Sequence, residues 1–462
     1  MLGLRFIVRK GLDAYLTECM MRFLFLFGGF VLFAFAPNNY SYEWCLSSFL
    51  VFMLNMAYTL YSDRKIELLG FNLIFSLSYL ACSFLFPIFI YPINAEFSLF
   101  HHGYDSAVIS KCTALSTFSY AIYSLGYLKI RKKSGANKLN LYIGKKETRI
   151  IAHITAILFL LFILMGGLQF FVRQYLYGEM EGGGIDRYIF VILSSFVVLI
   201  CITQYYVKDV VSIIIAVAIM SIILLTGSRT LPLSMVLVLY YIYSSRKHLS
   251  VKTNIGFIVF GILSLYLIGR VRTTGINVGG VQSVEEMESD VGFLSVFTDL
   301  IIVNRDLYDI YSYVQKEGTL LGANFIGPIL GSIPFGQSIF CTLFNVPDYK
   351  MVSSSFITYQ TFGSGASVGL GTHLVGDVYL GGGIIGIVIL FYALGYYVSK
   401  SREEMKRTSN VHWTILYLVL LSNAVFMCRG AYFGFVKNFI WSIVIIVVLN
   451  RINEGTFCKR PV

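Results

Sequence analysis

The stretch ILLTGSRTLPLSM, residues 223–235, joins two apolar runs and contains one arginine, Arg229. No other charged residue lies between Val210 and Tyr243. An apolar run of roughly 20 residues predicts a membrane-spanning helix, because a helix of that length crosses about 30 Å of hydrocarbon and satisfies its own backbone. The glycine and the proline of the stretch mark a turn between the runs. The stretch therefore predicts a tight helical hairpin in a membrane.

The same pattern recurs through the chain, which has 462 residues, of which 56% are hydrophobic and 13% charged, with a mean hydropathy of +0.73. The apolar runs are continuous rather than alternating, which favours helices over a barrel. We predict an all-α, polytopic integral membrane protein with about twelve transmembrane helices, in a range of eleven to thirteen. The expected spans are 23–37, 43–61, 66–92, 106–128, 150–172, 187–207, 209–226, 230–244, 254–270, 376–398, 412–428 and 437–451.

Positive charge predicts the orientation of these spans. Most of the 36 lysines and arginines fall in alternate connections, and basic residues resist translocation. We therefore expect both termini to be cytoplasmic. The net charge of +11 follows from this excess and is expected to contact the headgroups of membrane lipids, so it gives no reason to expect nucleic acid as a partner.

The connections divide the chain into three predicted parts. Residues 1–269 form an N-terminal transmembrane bundle of about nine spans, 270–375 a large periplasmic loop, and 376–462 a C-terminal bundle of about three spans. A structureless loop of that length is unusual, so the loop should contain short helices. Ser283 with Glu286 forms a capping box, and Arg305 with Asp309 has helical i, i+4 spacing.

Arginines stand at separate outer helix ends in this topology: Arg229, Arg270, Arg272 and Arg429. An arginine at the bilayer centre costs on the order of 2.5–3.5 kcal/mol, and less near the surface, so its presence requires a reason. Guanidinium groups bind phosphate oxygens in two-pronged fashion. Two interpretations stay open: a diphosphate site at the outer surface, or anchoring to lipid headgroups.

Asp377 and His373 are the candidate proton-transfer residues. Asp377 begins an otherwise apolar span, where a carboxylate is a candidate general base, an arginine partner or a helix cap. His373 lies four residues earlier and could accept a hydroxyl proton. The acidic run Glu285–Asp290 is more typical of a solvated helix face than of a metal site, and we expect no metal or other cofactor.

Aromatic residues are frequent in the long loop, and rings with polar tips suit carbohydrate faces as well as membrane interfaces. With Arg305, the candidates for glycan contact are Tyr308, Tyr359 and Tyr379.

The stretch GLGTHLVGDVYLGGGIIG, residues 369–386, follows the long outer loop and enters the next span. Together with eleven to twelve spans, it resembles the Wzy-type O-antigen or oligosaccharide repeat-unit polymerases. Many members have Gly-Leu-Gly-Thr/Ser followed by an acidic residue, an aromatic residue and further glycines. Here 369–372 match the first part, Asp377 stands where glutamate is usual, and Tyr379 follows.

The resemblance implies a membrane glycosyltransferase that transfers a growing glycan from undecaprenyl diphosphate to an incoming lipid-linked repeat unit at the periplasmic face. It also implies a polysaccharide chain-length regulator as a partner. The outer arginines would then bind the diphosphates, and Asp377 or His373 would act near the acceptor hydroxyl. The alternatives are an O-antigen ligase, a flippase or transporter of lipid-linked oligosaccharide, and a non-enzymatic scaffold.

Overall fold

A computed structural model gives the fold of the protein, and it is all-helical. The described residues are 83% helical and contain no strand, which confirms the all-α prediction. They are 2–62, 70–95, 103–127, 142–167, 185–225, 230–247, 250, 252–257, 259, 261, 298–366, 369–408 and 410–457.

The longer helices in these ranges are numbered here in chain order. They are α1 (Leu2–Ala34), α2 (Tyr42–Ser62), α3 (Phe71–Leu85, continued by the π-helical Phe86–Ile90), α4 (Ile109–Gly126), α5 (Lys145–Leu164), α6 (Ile185–Thr203), α7 (Val210–Leu225), α8 (Thr230–Lys247), α9 (Val303–Glu317), α10 (Ala323–Leu330), α11 (Gly336–Phe344), α12 (Ser353–Phe362), α13 (Leu374–Thr408), α14 (Val411–Asn423) and α15 (Val436–Phe457).

Six helices of the described residues are long and apolar enough to cross a membrane. They are Thr17–Ala34, Tyr42–Ser62, Phe71–Ile90, Lys145–Leu164, Leu374–Thr408 and Tyr432–Ile452, and three shorter apolar helices are Tyr188–Thr203, Val210–Leu224 and Val411–Asn423. The protein is therefore a helical membrane protein. The count of twelve spans stays a prediction, and most of the expected span 254–270 lies outside the described residues.

The helices α4 and α13 cross at unusually close range. A Cβ atom on Gly126 would collide with the backbone carbonyl of Tyr392, and one on Gly395 would collide with that of Tyr123. Small residues allow such backbone contact between membrane helices. No hydrophobic effect drives helices together in lipid, so dispersion and polar contacts hold them. Around this crossing, α1 and α2 pack against α4, and α9 and α14 pack against α13.

A second group of helices contains α5, α6, α7, α8, α14 and α15, in which α6 packs against α5, α8 and α15. The Ser195 hydroxyl donates to Asn438 Oδ1 at 3.0 Å and so joins α6 to α15 inside the apolar core. A buried polar pair of this kind satisfies both groups where no water is present.

The helix α13 is broken near its N-terminal end. Gly383 has φ 57° and ψ −147°, a backbone conformation open to glycine and strained for other residues. The carbonyls of Leu380 and Gly381 accept hydrogen bonds from the backbone N–H groups of Leu320 and Gly322, each at 2.8 Å. The helices α9 to α12 lie between α8 and α13 in the chain, as expected of the long loop, and this contact joins that loop directly to the span.

Candidate functional site

The helix α9 carries the first two charged residues of the site. Its range, Val303–Glu317, confirms the helix expected from the spacing of Arg305 and Asp309. Arg305 is 5% exposed and Asp306 is 2% exposed, and Arg305 Nη2 lies 3.8 Å from Asp306 Oδ1. Two adjacent charged residues are thus buried together against the membrane helices.

Arg429 approaches the same place from a distant part of the chain. It ends the 3-10 turn Met427–Arg429 that follows α14, and its side chain is half-buried. A Cβ atom on Gly371 would lie 3.4 Å from Arg429 Nε and 3.4 Å from Val303 Cγ1, so Gly371 lies between the Arg429 side chain and the start of α9. We call Arg305, Asp306 and Arg429 the arginine cluster.

The carboxyl group of the arginine cluster binds its proton more tightly than an exposed aspartate does. Burial raises the pKa of Asp306 to about 8, although Arg305 and Arg429 both act to lower this pKa. Even when it is ionised, one carboxyl offsets only one of the two guanidinium charges. The arginine cluster therefore keeps a net positive charge.

Asp309 lies one helical turn beyond Arg305 and is only partly buried. Burial raises the pKa of Asp309 to about 6, while Arg305 acts to lower it and Asp105 acts to raise it. A carboxyl with a pKa near 6 is mostly ionised at pH 7 and can still accept a proton readily. Asp309 thus has the proton affinity of a general base beside the arginine cluster.

Asp377 holds three elements together. It is 0% exposed; its Oδ1 accepts from Asn324 Nδ2 at 2.8 Å and its Oδ2 accepts from the backbone N–H of Tyr432 at 2.7 Å. The Asn324 amide also donates to the Asp377 carbonyl at 2.8 Å. Asp377 is not the N-cap of α13, because its own N–H donates to the carbonyl of His373.

His373 occupies the position just before α13 and caps it. The backbone N–H of Val375 donates to His373 Nδ1 at 3.1 Å, so the neutral ring carries its proton on Nε2 and donates to Ser83 Oγ, also at 3.1 Å. The ring is wholly buried and faces Tyr79 of α3, with ring centroids 6.4 Å apart. His373 and Asp377 therefore have different partners.

The aromatic candidates differ in exposure. Tyr308 is 0% exposed, so its ring has no face open to solvent. The Tyr379 hydroxyl accepts from Gln315 Nε2 at 2.8 Å, and its ring is 4% exposed. Tyr359 stacks on Tyr349 with ring centroids 3.9 Å apart and remains 38% exposed. Of these three tyrosines, Tyr359 offers the most surface to a ligand.

Arg229, Arg270 and Arg272 lie outside the described residues, as do the capping box at 283–286 and the acidic run Glu285–Asp290. In the part of the chain that the structure describes, no group of three or more His, Cys, Asp or Glu side chains is placed to hold a metal ion.

A cavity of about 790 Å³ lies between α1, α4 and α13 and is lined by apolar side chains that include Phe27, Phe118 and Val388. Val388 lies beyond the break at Gly383 from Asp377, and no residue of the arginine cluster lines the cavity. The cavity therefore belongs to the membrane face and not to the arginine cluster.

Two features of the site were not predicted from the sequence. Arg305 was expected to contact a glycan, and the structure buries it in the arginine cluster with Arg429. Asn324 was not singled out, because an asparagine in an apolar stretch has no motif around it; its isolation among uncharged residues was the available signal.

No family model matches this chain, and no curated protein or solved structure matches it either.

Proposed function

We propose that this protein is a metal-independent membrane glycosyltransferase that polymerises undecaprenyl-diphosphate-linked oligosaccharide repeat units into O-antigen or a related surface polysaccharide. In the reaction, the acceptor sugar hydroxyl of an incoming repeat unit attacks the anomeric carbon of the growing glycan. The bond between that carbon and the diphosphate breaks, and undecaprenyl diphosphate leaves with the electron pair. The hydroxyl proton passes to a base on the protein.

The arginine cluster is the observation that carries this proposal. Two guanidinium groups stand beside a single buried carboxyl whose pKa is raised by burial. The cluster lies at the N-terminal end of a long apolar helix, next to the GLGTHL stretch. A departing diphosphate gains negative charge, and fixed positive charge in a partly buried site stabilises that change without a metal.

The proposal assigns a role to each of five described residues. Arg429 is half-buried and contacts the diphosphate, while the buried Arg305 supplies charge from behind it. Asp309 accepts the proton of the acceptor hydroxyl. Asp377 and His373, proposed from sequence as catalytic, act as positioning residues, because both are fully buried and both oxygens of the Asp377 carboxylate and both ring nitrogens of His373 already have protein partners.

Three further arginines and one tyrosine predicted from the sequence keep their roles in the proposal. Arg229, Arg270 and Arg272 bind diphosphate together with Arg429, and the Tyr359–Tyr349 stack contacts the glycan. Twelve spans, cytoplasmic termini and a periplasmic loop are supported by the distribution of lysine and arginine. A chain-length regulator is the proposed protein partner.

The test is complementation of the source bacterium lacking this gene, with surface polysaccharide displayed on a gel and membrane levels of each variant measured by immunoblot. We expect the deletion strain to carry a single repeat unit on its core lipid. Wild type should restore a ladder, and Arg429→Lys should not, because lysine lacks the two-pronged geometry.

The matched control is Arg407→Lys, which changes an exposed arginine paired with Glu404 at 2.8 Å at the other end of α13. It should restore the full ladder. A deletion strain with no repeat unit on its core lipid would instead indicate a ligase or a flippase. A full ladder from Arg429→Lys would remove the arginine cluster from the mechanism.

A further inference from the structure

Residues 318–347 of the long loop contain no Asp, Glu, Lys or Arg, although Glu317 precedes them and Asp348 follows. They include α10 and α11 and the turns on either side. An uncharged stretch of this length is unusual on a surface that faces water, where charged side chains are frequent.

The apolar side chains of this segment point outward. Between 51% and 73% of the surface of each of these five residues is exposed: Ile333, Phe335, Ile339, Leu343 and Phe344. The helix α11 buries none of its residues against the rest of the protein. Covering such side chains with an apolar environment is favourable, so the five together form an apolar binding surface.

The contacts of the segment place it at the level of the membrane boundary. Trp441 Nε1 donates to the carbonyl of Ser332 at 3.0 Å, and the ring of Phe335 lies 4.9 Å from that of Tyr188. Trp441 is near the start of α15 and Tyr188 near the start of α6, both apolar helices of the membrane body. Trp and Tyr concentrate where membrane helices meet water.

Exposed apolar side chains also occur on the membrane body beside Trp441 in the chain. Ile440 and Val444 on α15, on either side of Trp441, are 37% and 43% exposed on a helix long and apolar enough to cross the membrane. The charged residues that bound the segment stand at its two ends, where an interfacial element returns to water.

We propose that residues 318–347 form an interfacial segment of the outer leaflet, with the exposed apolar face of α11 among lipid acyl chains. This inference is independent of the proposed glycosyl transfer. It has a consequence for the site, because the same segment contains Asn324, which donates to Asp377. Lipid contact thereby helps to hold the loop against α13.

Spin-label accessibility in lipid nanodiscs tests the inference. Labels are placed singly at Ile339→Cys and Leu343→Cys, in a full-length chain with Cys19, Cys341 and Cys458 changed to serine. Lys316→Cys, exposed at the end of α9, is the water reference, and Val444→Cys is the lipid reference. Collision with oxygen, which enriches in lipid, is compared with collision with a water-soluble nickel chelate.

We expect both α11 labels to match Val444→Cys, with oxygen collisions exceeding nickel collisions. Labels that match Lys316→Cys would place α11 in water and overturn the proposal. Labels shielded from both reagents would also overturn it, because they would indicate that protein, such as a second copy of the chain, covers α11.

Discussion

Asp309 is the residue whose role is most open to a kinetic test. Burial raises its pKa to about 6, and the ionised form is the one that accepts a proton. Glycosyl transfer should therefore decrease as pH falls through about 6 and level off above it. Asp309→Asn should lower the rate by about 10²- to 10⁴-fold, the usual contribution of a general base. Initial rates in proteoliposomes between about pH 5 and 8 measure both effects; a wild-type acid limb in Asp309→Asn would exclude Asp309 as the base.

Substitution of Asp377 tests whether this residue is a general base or a positioning residue. Asp377→Ala leaves the Tyr432 N–H without its acceptor and removes one of the two acceptors of the Asn324 amide, at about 1–3 kcal/mol for each buried group left unsatisfied. We expect a lower thermal unfolding temperature in detergent as well as lost activity. Asp348→Ala, at an exposed aspartate of the same loop, is the control and should change neither. An inactive Asp377→Ala with an unchanged unfolding temperature would restore the catalytic assignment.

At the scale of single residues, the sequence indicated which residue types belong to the candidate site. It did not predict which of these residues lie close together in the structure. Arg305 and Arg429 lie far apart in the chain, and no periodicity relates their positions. Their proximity depends on how α9 and the turn after α14 pack around Gly371. The role of Asp377 likewise depends on Asn324, a partner that only the packing of α10 supplies.

Among the helices, the crossing of α4 and α13 is the contact most sensitive to a single methyl group. Gly395→Ala and Gly126→Ala each place a Cβ atom against the backbone of the other helix. Overpacking of this kind costs about 1–3 kcal/mol, so the thermal unfolding temperature should fall by several degrees. The control is Gly28→Ala in α1, where a Cβ atom meets nothing within 4 Å. If all three variants unfold at the same temperature, the two helices are not in backbone contact.

The sequence predicted which segments are helical, but it did not predict where a helix is interrupted. The i, i+4 spacing of Arg305 and Asp309 predicted α9, and continuous apolar runs predicted α2, α3 and α13. The break at Gly383 lies within a span predicted as continuous, because a run of glycines is compatible with both a helix and a break. The contact of Leu380 with Leu320 decides between them, and that contact is long-range.

For the whole molecule, composition was sufficient to predict an all-helical membrane protein. A chain that is 56% hydrophobic, with continuous apolar runs, has no other way to satisfy its backbone in lipid. The number of spans is less secure because several expected spans are short, as α14 is at Val411–Asn423. Hydropathy alone also does not distinguish an apolar loop segment from an interfacial one at 318–347, where Gly and Pro interrupt the apolar residues.

The proposed activity is tested most directly with the purified protein in proteoliposomes and a synthetic undecaprenyl-diphosphate-linked repeat unit as sole substrate. Products are resolved by gel and mass spectrometry. We predict a ladder at multiples of the repeat-unit mass, released undecaprenyl diphosphate, and a rate about 10²- to 10³-fold lower in Arg429→Lys at an unchanged unfolding temperature. If the folded wild-type protein forms no product longer than one repeat unit, it is not a polymerase of that substrate.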